Sequence, residues 1–80
     1  MTERSKLRWG CRRGMKELDI LLLGYLERYY DNASLKNKRV FADLLELQDP
    51  QLYAYLIGRE TPKDPTVAHV IYQIRACLKP

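Results

Sequence analysis

Residues 15–30 read M-K-E-L-D-I-L-L-L-G-Y-L-E-R-Y-Y. Leu18, Leu22, Tyr25, Leu26 and Tyr29 recur at three- and four-residue intervals, which places them on one face of a helix. No alternating pattern competes, so the spacing predicts a helix from Met15 to Tyr30. Gly24, inside it, costs about 1 kcal/mol against alanine and marks a place where a neighbouring helix packs close. The apolar run Ile20 to Leu26 is seven residues long, far short of the ~20 that span a bilayer. The helix therefore turns one side to a core, and no membrane insertion is expected.

The flanking sequence repeats the pattern. Upstream, Ser5 to Arg12 forms a short helix that Gly14 interrupts. Downstream, Asp31-Asn32-Ala33 reads as a loop, and Ser34 caps a third helix by accepting a backbone N–H bond. Its buried stripe is Val40, Phe41, Leu44 and Leu45. Asp49-Pro50 opens a fourth helix with an acidic cap and a proline whose missing donor costs nothing there. Leu52, Tyr53 and Leu56 face inward with Tyr55 beside them, and Gly58 suits a left-handed stop. Asp64-Pro65 repeats the opening signal, and Val67, Val70, Ile71, Ile74 and Leu78 form a last stripe. The expected fold is all-α, a compact bundle of five short helices, with residues 1–80 as a single domain.

The charge is uneven. Residues 1–16 hold six bases (Arg4, Lys6, Arg8, Arg12, Arg13, Lys16) and one acid, Glu3, so +5; residues 17–80 hold eight bases and nine acids, so −1. Such a segment suits an acidic protein surface, a nucleic acid or a phosphate-bearing ligand, or is a solvated flank. The start, M-T-E-R-S-K-L-R-W-G, is polar and basic, unlike a secretory signal, so a cytoplasmic location is expected.

Other chemistries find little to stand on. The glycines at 10, 14, 24 and 58 are isolated, so no phosphate loop forms. One histidine, His69, is too few for a usual zinc site, and it lies away from the apolar stripe of its helix. No nucleophile–base set is suggested, and the chain is not expected to be an enzyme. A helix-turn-helix would place the third and fourth helices on DNA. Residues 43–58 carry no Lys or Arg, and Asp43, Glu46 and Asp49 would repel phosphate. A nucleic-acid or regulatory role would rest on the N-terminal segment alone. Cys11 and Cys77 are expected as free thiols. Cys77 is an apolar helix position, while Cys11 lies beside Arg12 and Arg13, where cations lower a thiol's pKa.

Residues 11–19, C-R-R-G-M-K-E-L-D, are the unusual part. Gly14 permits a turn that other residues resist and leaves a bare surface where a partner backbone can approach. Arg13 offers a planar fork of donors to carboxylate, phosphate or carbonyl groups. Glu17 and Asp19 put carboxylates in the first turn of the long helix, where its dipole favours them. Arg13 and Glu17 stand four apart, so they either form a local ion pair or each reach a partner.

With its surroundings, R-G-M-K-E-L-D resembles the motif of the SdhE (YgfY) family, the FAD assembly factors of succinate dehydrogenase. Y-Y-D and then F-A-D-L-L-E-L-Q-D-P-Q-L-Y-A-Y-L are similar to that family's second half, and the likeness runs from about Arg8 to Leu78. Tyr55 stands where many members carry tryptophan, and the chain stops at Pro80, without the charged tail of some relatives. The resemblance implies a five-helix bundle that binds the flavoprotein subunit of succinate dehydrogenase and, in some bacteria, of fumarate reductase. It implies that the chain promotes covalent attachment of FAD to a histidine of that subunit. The motif's functional residues map to Arg13, Gly14 and Glu17, flanked by Arg12, Met15, Lys16 and Asp19. FAD belongs to the client, so no tightly bound cofactor is expected, and the chain is expected to be a monomer.

Overall fold

The long helix and its neighbours are all present in the computed structural model, which describes residues 3–77. In chain order they are α1 (Glu3–Gly10), α2 (Lys16–Arg28), α3 (Leu35–Leu45), α4 (Asp49–Leu56) and α5 (Pro65–Ala76), with a 3-10 turn at Tyr30–Asn32 between α2 and α3. No strand occurs among the described residues. Two of the expected caps form: the Ser34 hydroxyl accepts from Asn37 N–H at 3.1 Å, and the Asp64 carboxylate accepts from Thr66 N–H at 2.8 Å. Gly58 stops α4 with φ +82°.

Helix α5 packs on α2, α3 and α4, while α1 lies across α2 and α3. Every helix contributes to one buried cluster, from Leu7 and Cys11 through Leu22, Phe41 and Leu52 to Ile74. At its centre the Tyr25 ring sits 4.6 Å from Phe41 and 5.6 Å from Tyr29 between centroids. The Cα radius of gyration is 11.4 Å, close to the roughly 12 Å of a compact chain this long. Gly24 does mark a close crossing: a Cβ there would lie 2.9 Å from Cys77 Cβ.

Several local expectations change. Helix α1 ends at Gly10 rather than Arg12: the Arg12 N–H still turns back to the Trp9 carbonyl, but the Arg13 N–H donates to the Asp19 carboxylate instead. Residues expected as a loop begin in the 3-10 turn, whose Tyr30 is buried. The cap of α4 is Gln48, with no side-chain bond, and Asp49 is its first helical residue. Tyr53 faces outward, 36% exposed, whereas Leu52 and Leu56 are buried. An eight-residue helix packed on one side has no second face to bury. Leu21 joins the core beside Leu18 and Leu22. Leu78, expected on the last stripe, lies outside the described residues.

Candidate functional site

The link between α1 and α2 splits its residues between interior and solvent. Asp19, in the first turn of α2, reaches back, and its Oδ1 accepts from Arg13 N–H at 2.7 Å. That bond folds residues 13–19 into a closed loop through Gly14, whose φ is +80°. An L side chain resists that conformation, so glycine is the residue that lets the loop turn. Arg12, Gly14, Lys16 and Glu17 are exposed, while Arg13, Met15 and Asp19 are half-buried. Met15 packs against the core.

The Arg13 guanidinium points into the molecule, with its side chain only 14% exposed. Nη1 donates to the Leu47 carbonyl at 3.0 Å and lies 3.4 Å from an Asp49 carboxylate oxygen; Nη2 donates to the Leu45 carbonyl. Leu45 ends α3, where the last carbonyls lack intrahelical donors and a cation meets the negative end of the helix dipole. The local ion pair with Glu17 is therefore absent, because the fork is occupied 32 to 36 residues away. Glu17 has no hydrogen-bond or ionic partner among the described residues. Above Gly14 the space is open, with nothing within 4 Å of where a Cβ would stand.

The basic segment is partly neutralised by the body. Arg4 pairs with Asp31 at 2.7 Å, Arg8 with Glu27 at 3.5 Å and Arg13 with Asp49 at 3.4 Å. Lys6, Arg12 and Lys16 keep no acidic partner among the described residues. Arg12 lies over the exposed Trp9 ring, 5.5 Å from its centroid. A continuous stripe of free cations, as a phosphate backbone requires, is not what this arrangement presents.

The expectation for Cys11 is reversed. It is fully buried, and burial pushes its thiol up to about 12, outweighing the lowering by Arg13 and Arg8. A thiolate is thus suppressed where the adjacent arginines alone suggest it is favoured. Cys77 is buried too, and burial also raises its thiol. His69 is exposed, and no group of metal-ligating side chains occurs among the described residues.

Sequence reasoning missed Asp49 as the partner of Arg13 and missed the surface beside Glu17. There a groove of about 530 Å³ opens between α2, α4 and α5. Its floor is Leu18, Leu21 and Leu56, and its walls carry Tyr53, Ile57 and Tyr72. Position 72 falls off the apolar stripe of α5, so an exposed aromatic there was readable from spacing alone.

Residues 5–78 match the sequence profile of the family described as flavinator of succinate dehydrogenase. The chain is similar to the FAD assembly factor SdhE of Shewanella oneidensis, 40% identical over 76 residues, or 95% of this chain and 93% of the relative. It is 41% identical over 78 residues to the FAD assembly factor SdhE of Methylococcus capsulatus, covering 98% and 94%. With that of Colwellia psychrerythraea the identity is 43% over 76 residues, covering 95% and 84%.

Proposed function

The chain belongs to the family of flavinators of succinate dehydrogenase, and on that premise we propose that it is an FAD assembly factor. It docks on the flavoprotein subunit of succinate dehydrogenase and promotes covalent attachment of FAD there. The observation that carries this reading is the division of labour in residues 12–19. Arg13 and Asp19 fix the loop from inside, while Gly14 and Glu17 stand open to a partner.

The described residues do not fit FAD. The glycines are isolated, and the 530 Å³ groove is walled by apolar side chains with one guanidinium, Arg75, for a pyrophosphate. This lining supports a reading in which the flavin stays with the client and the chain acts as a chaperone, not an enzyme. Bond formation needs a client side chain held against the flavin in reactive geometry. A partner that binds the reactive client conformation more tightly populates it. An open glycine backbone and an unpaired carboxylate are a means to that differential binding. A monomer working in the cytoplasm, docked on a folded, FAD-loaded client, completes the reading. A fumarate reductase flavoprotein subunit is a second client of the same chemistry.

Co-expression with each candidate flavoprotein subunit tests this. After denaturation and electrophoresis, in-gel flavin fluorescence on the client should rise several-fold with the chain present. Equal fluorescence with and without it would overturn the proposal.

A further inference from the structure

The groove beside Glu17 has no assigned occupant. Its walls expose Tyr72 at 69%, Ile57 at 43% and Tyr53 at 36%. Ile20, 47% exposed, follows Glu17 by three positions on α2 and extends the same face. Clustered apolar side chains of this kind mark an interaction surface more often than chance exposure does. The groove's charged residues are Glu17, in the first turn of α2, and Arg75, near the end of α5. Neither side chain has a hydrogen-bond or ionic partner among the described residues.

We infer that this groove receives an amphipathic segment of the flavoprotein subunit, apolar at its centre, with a basic residue toward Glu17 and an acidic residue toward Arg75. The inference rests on the assembly-factor reading and extends its contact surface from the motif loop across α2 to α4 and α5. Glu17 joins the two: it belongs to the motif and lines the groove, so a client that reaches the motif lies over the groove's mouth. A volume of 530 Å³ holds several side chains, as when an amphipathic helix lays its apolar face in a cleft between helices. A second copy of this chain is the poorer occupant. It would cover Glu17 and shut the client out of the motif.

The test uses the full chain and an FAD-loaded flavoprotein subunit. Ile57→Lys with Tyr72→Ala alters exposed positions only, so the circular dichroism and melting midpoint should stay near wild type. Affinity for the client should fall at least tenfold, and covalent flavin should fall with it. Glu17→Ala, measured alongside, reports on the motif itself. Binding within twofold of wild type by the double variant, while Glu17→Ala loses it, would overturn the groove and leave the assembly-factor reading intact. Failure of wild-type chain to bind or to raise covalent flavin would overturn both. If the double variant unfolds, a photo-cross-linking residue at position 72 of the otherwise wild-type chain decides. An adduct to a client peptide supports the inference; an adduct to a second copy, or none, overturns it.

Discussion

The guanidinium of Arg13 donates to the carbonyls of Leu45, at the end of α3, and of Leu47 just beyond it, whereas the carboxylate of Glu17, four residues later, stands in solvent. Spacing made them a plausible pair, because a local reading cannot see acceptors more than thirty residues away. The structure gives them different tasks, and their variants should differ in kind. Arg13→Ala leaves two carbonyls without their charged donor and should cost about 2–3 kcal/mol in urea unfolding. Arg13→Lys, a single ammonium in place of a fork, should recover part of that. Glu17→Ala should stay within about 0.5 kcal/mol of wild type, as exposed substitutions do, yet lose most covalent flavin on the client. Lowering the temperature should restore flavinylation by Arg13→Ala and not by Glu17→Ala; equal recovery would make Glu17 a stability residue as well. Gly14 separates backbone from bareness in the same way. Gly14→Asn suits a left-handed residue better than Gly14→Ala, which costs roughly 1–2 kcal/mol, but both place a Cβ in the open space above the loop. Both should fail in flavinylation, with asparagine the more stable in a thermal melt. Full activity of Gly14→Asn would reduce the glycine's role to its φ.

The helices were readable where their signals are local. Ser34, Asp64 and Gly58 cap or stop a helix through groups within three residues of themselves, and each is found where its chemistry suggests. Asp49 has the same residue type and a following proline, but its carboxylate turns to Arg13 and leaves Gln48 as the cap. Tertiary demand on that side chain outweighed its local preference. The stripe on α2 was read too narrowly for a related reason: this helix packs on both α1 and α5, so Leu21 is buried along with Leu18 and Leu22. The tight crossing of α2 and α5 at Gly24 was signalled by a glycine in a helix, although its partner was not. Gly24→Ala should gain about 1 kcal/mol of helix propensity. Against that, the new methyl would lie 2.9 Å from Cys77 Cβ, an atom fixed to the backbone that cannot swing aside. Overpacking of this sort typically costs about 1–3 kcal/mol, so the net effect should be a lower melting midpoint. A raised midpoint would mean that the end of α5 moves at little cost.

On the scale of the whole molecule, the +5 segment recognised in the sequence is drawn onto the body by Asp31, Glu27 and Asp49. Charge counting shows the asymmetry but not the pairing, since every partner is at least nineteen residues distant. The same folding-back carries Cys11, at the end of α1, into the common core with Cys77 and Tyr25. Burial raises all three groups, and this links stability to pH with a definite sign. A thiol whose folded value is raised binds its proton more tightly folded than unfolded. Its contribution is complete below the ordinary value of 9.0 and is lost as pH climbs from 9.0 towards about 12. Across that window the Cys11 thiol removes roughly 1.4 kcal/mol per pH unit. A domain of this size has little stability in reserve, so it should unfold in mild alkali. Urea midpoints should be level from pH 7 to 8 and fall steadily from pH 9 to 10.5. Cys11→Ala removes one titrating group and should flatten that fall without abolishing it, because Cys77 and Tyr25 are pushed the same way. In the native protein a thiol reagent should label Cys11 only at rates set by unfolding. If Cys11→Ala shows the wild-type alkaline slope, ionisation of that buried thiol is not what alkali acts on, and the core's pH sensitivity must lie with Tyr25 and Cys77.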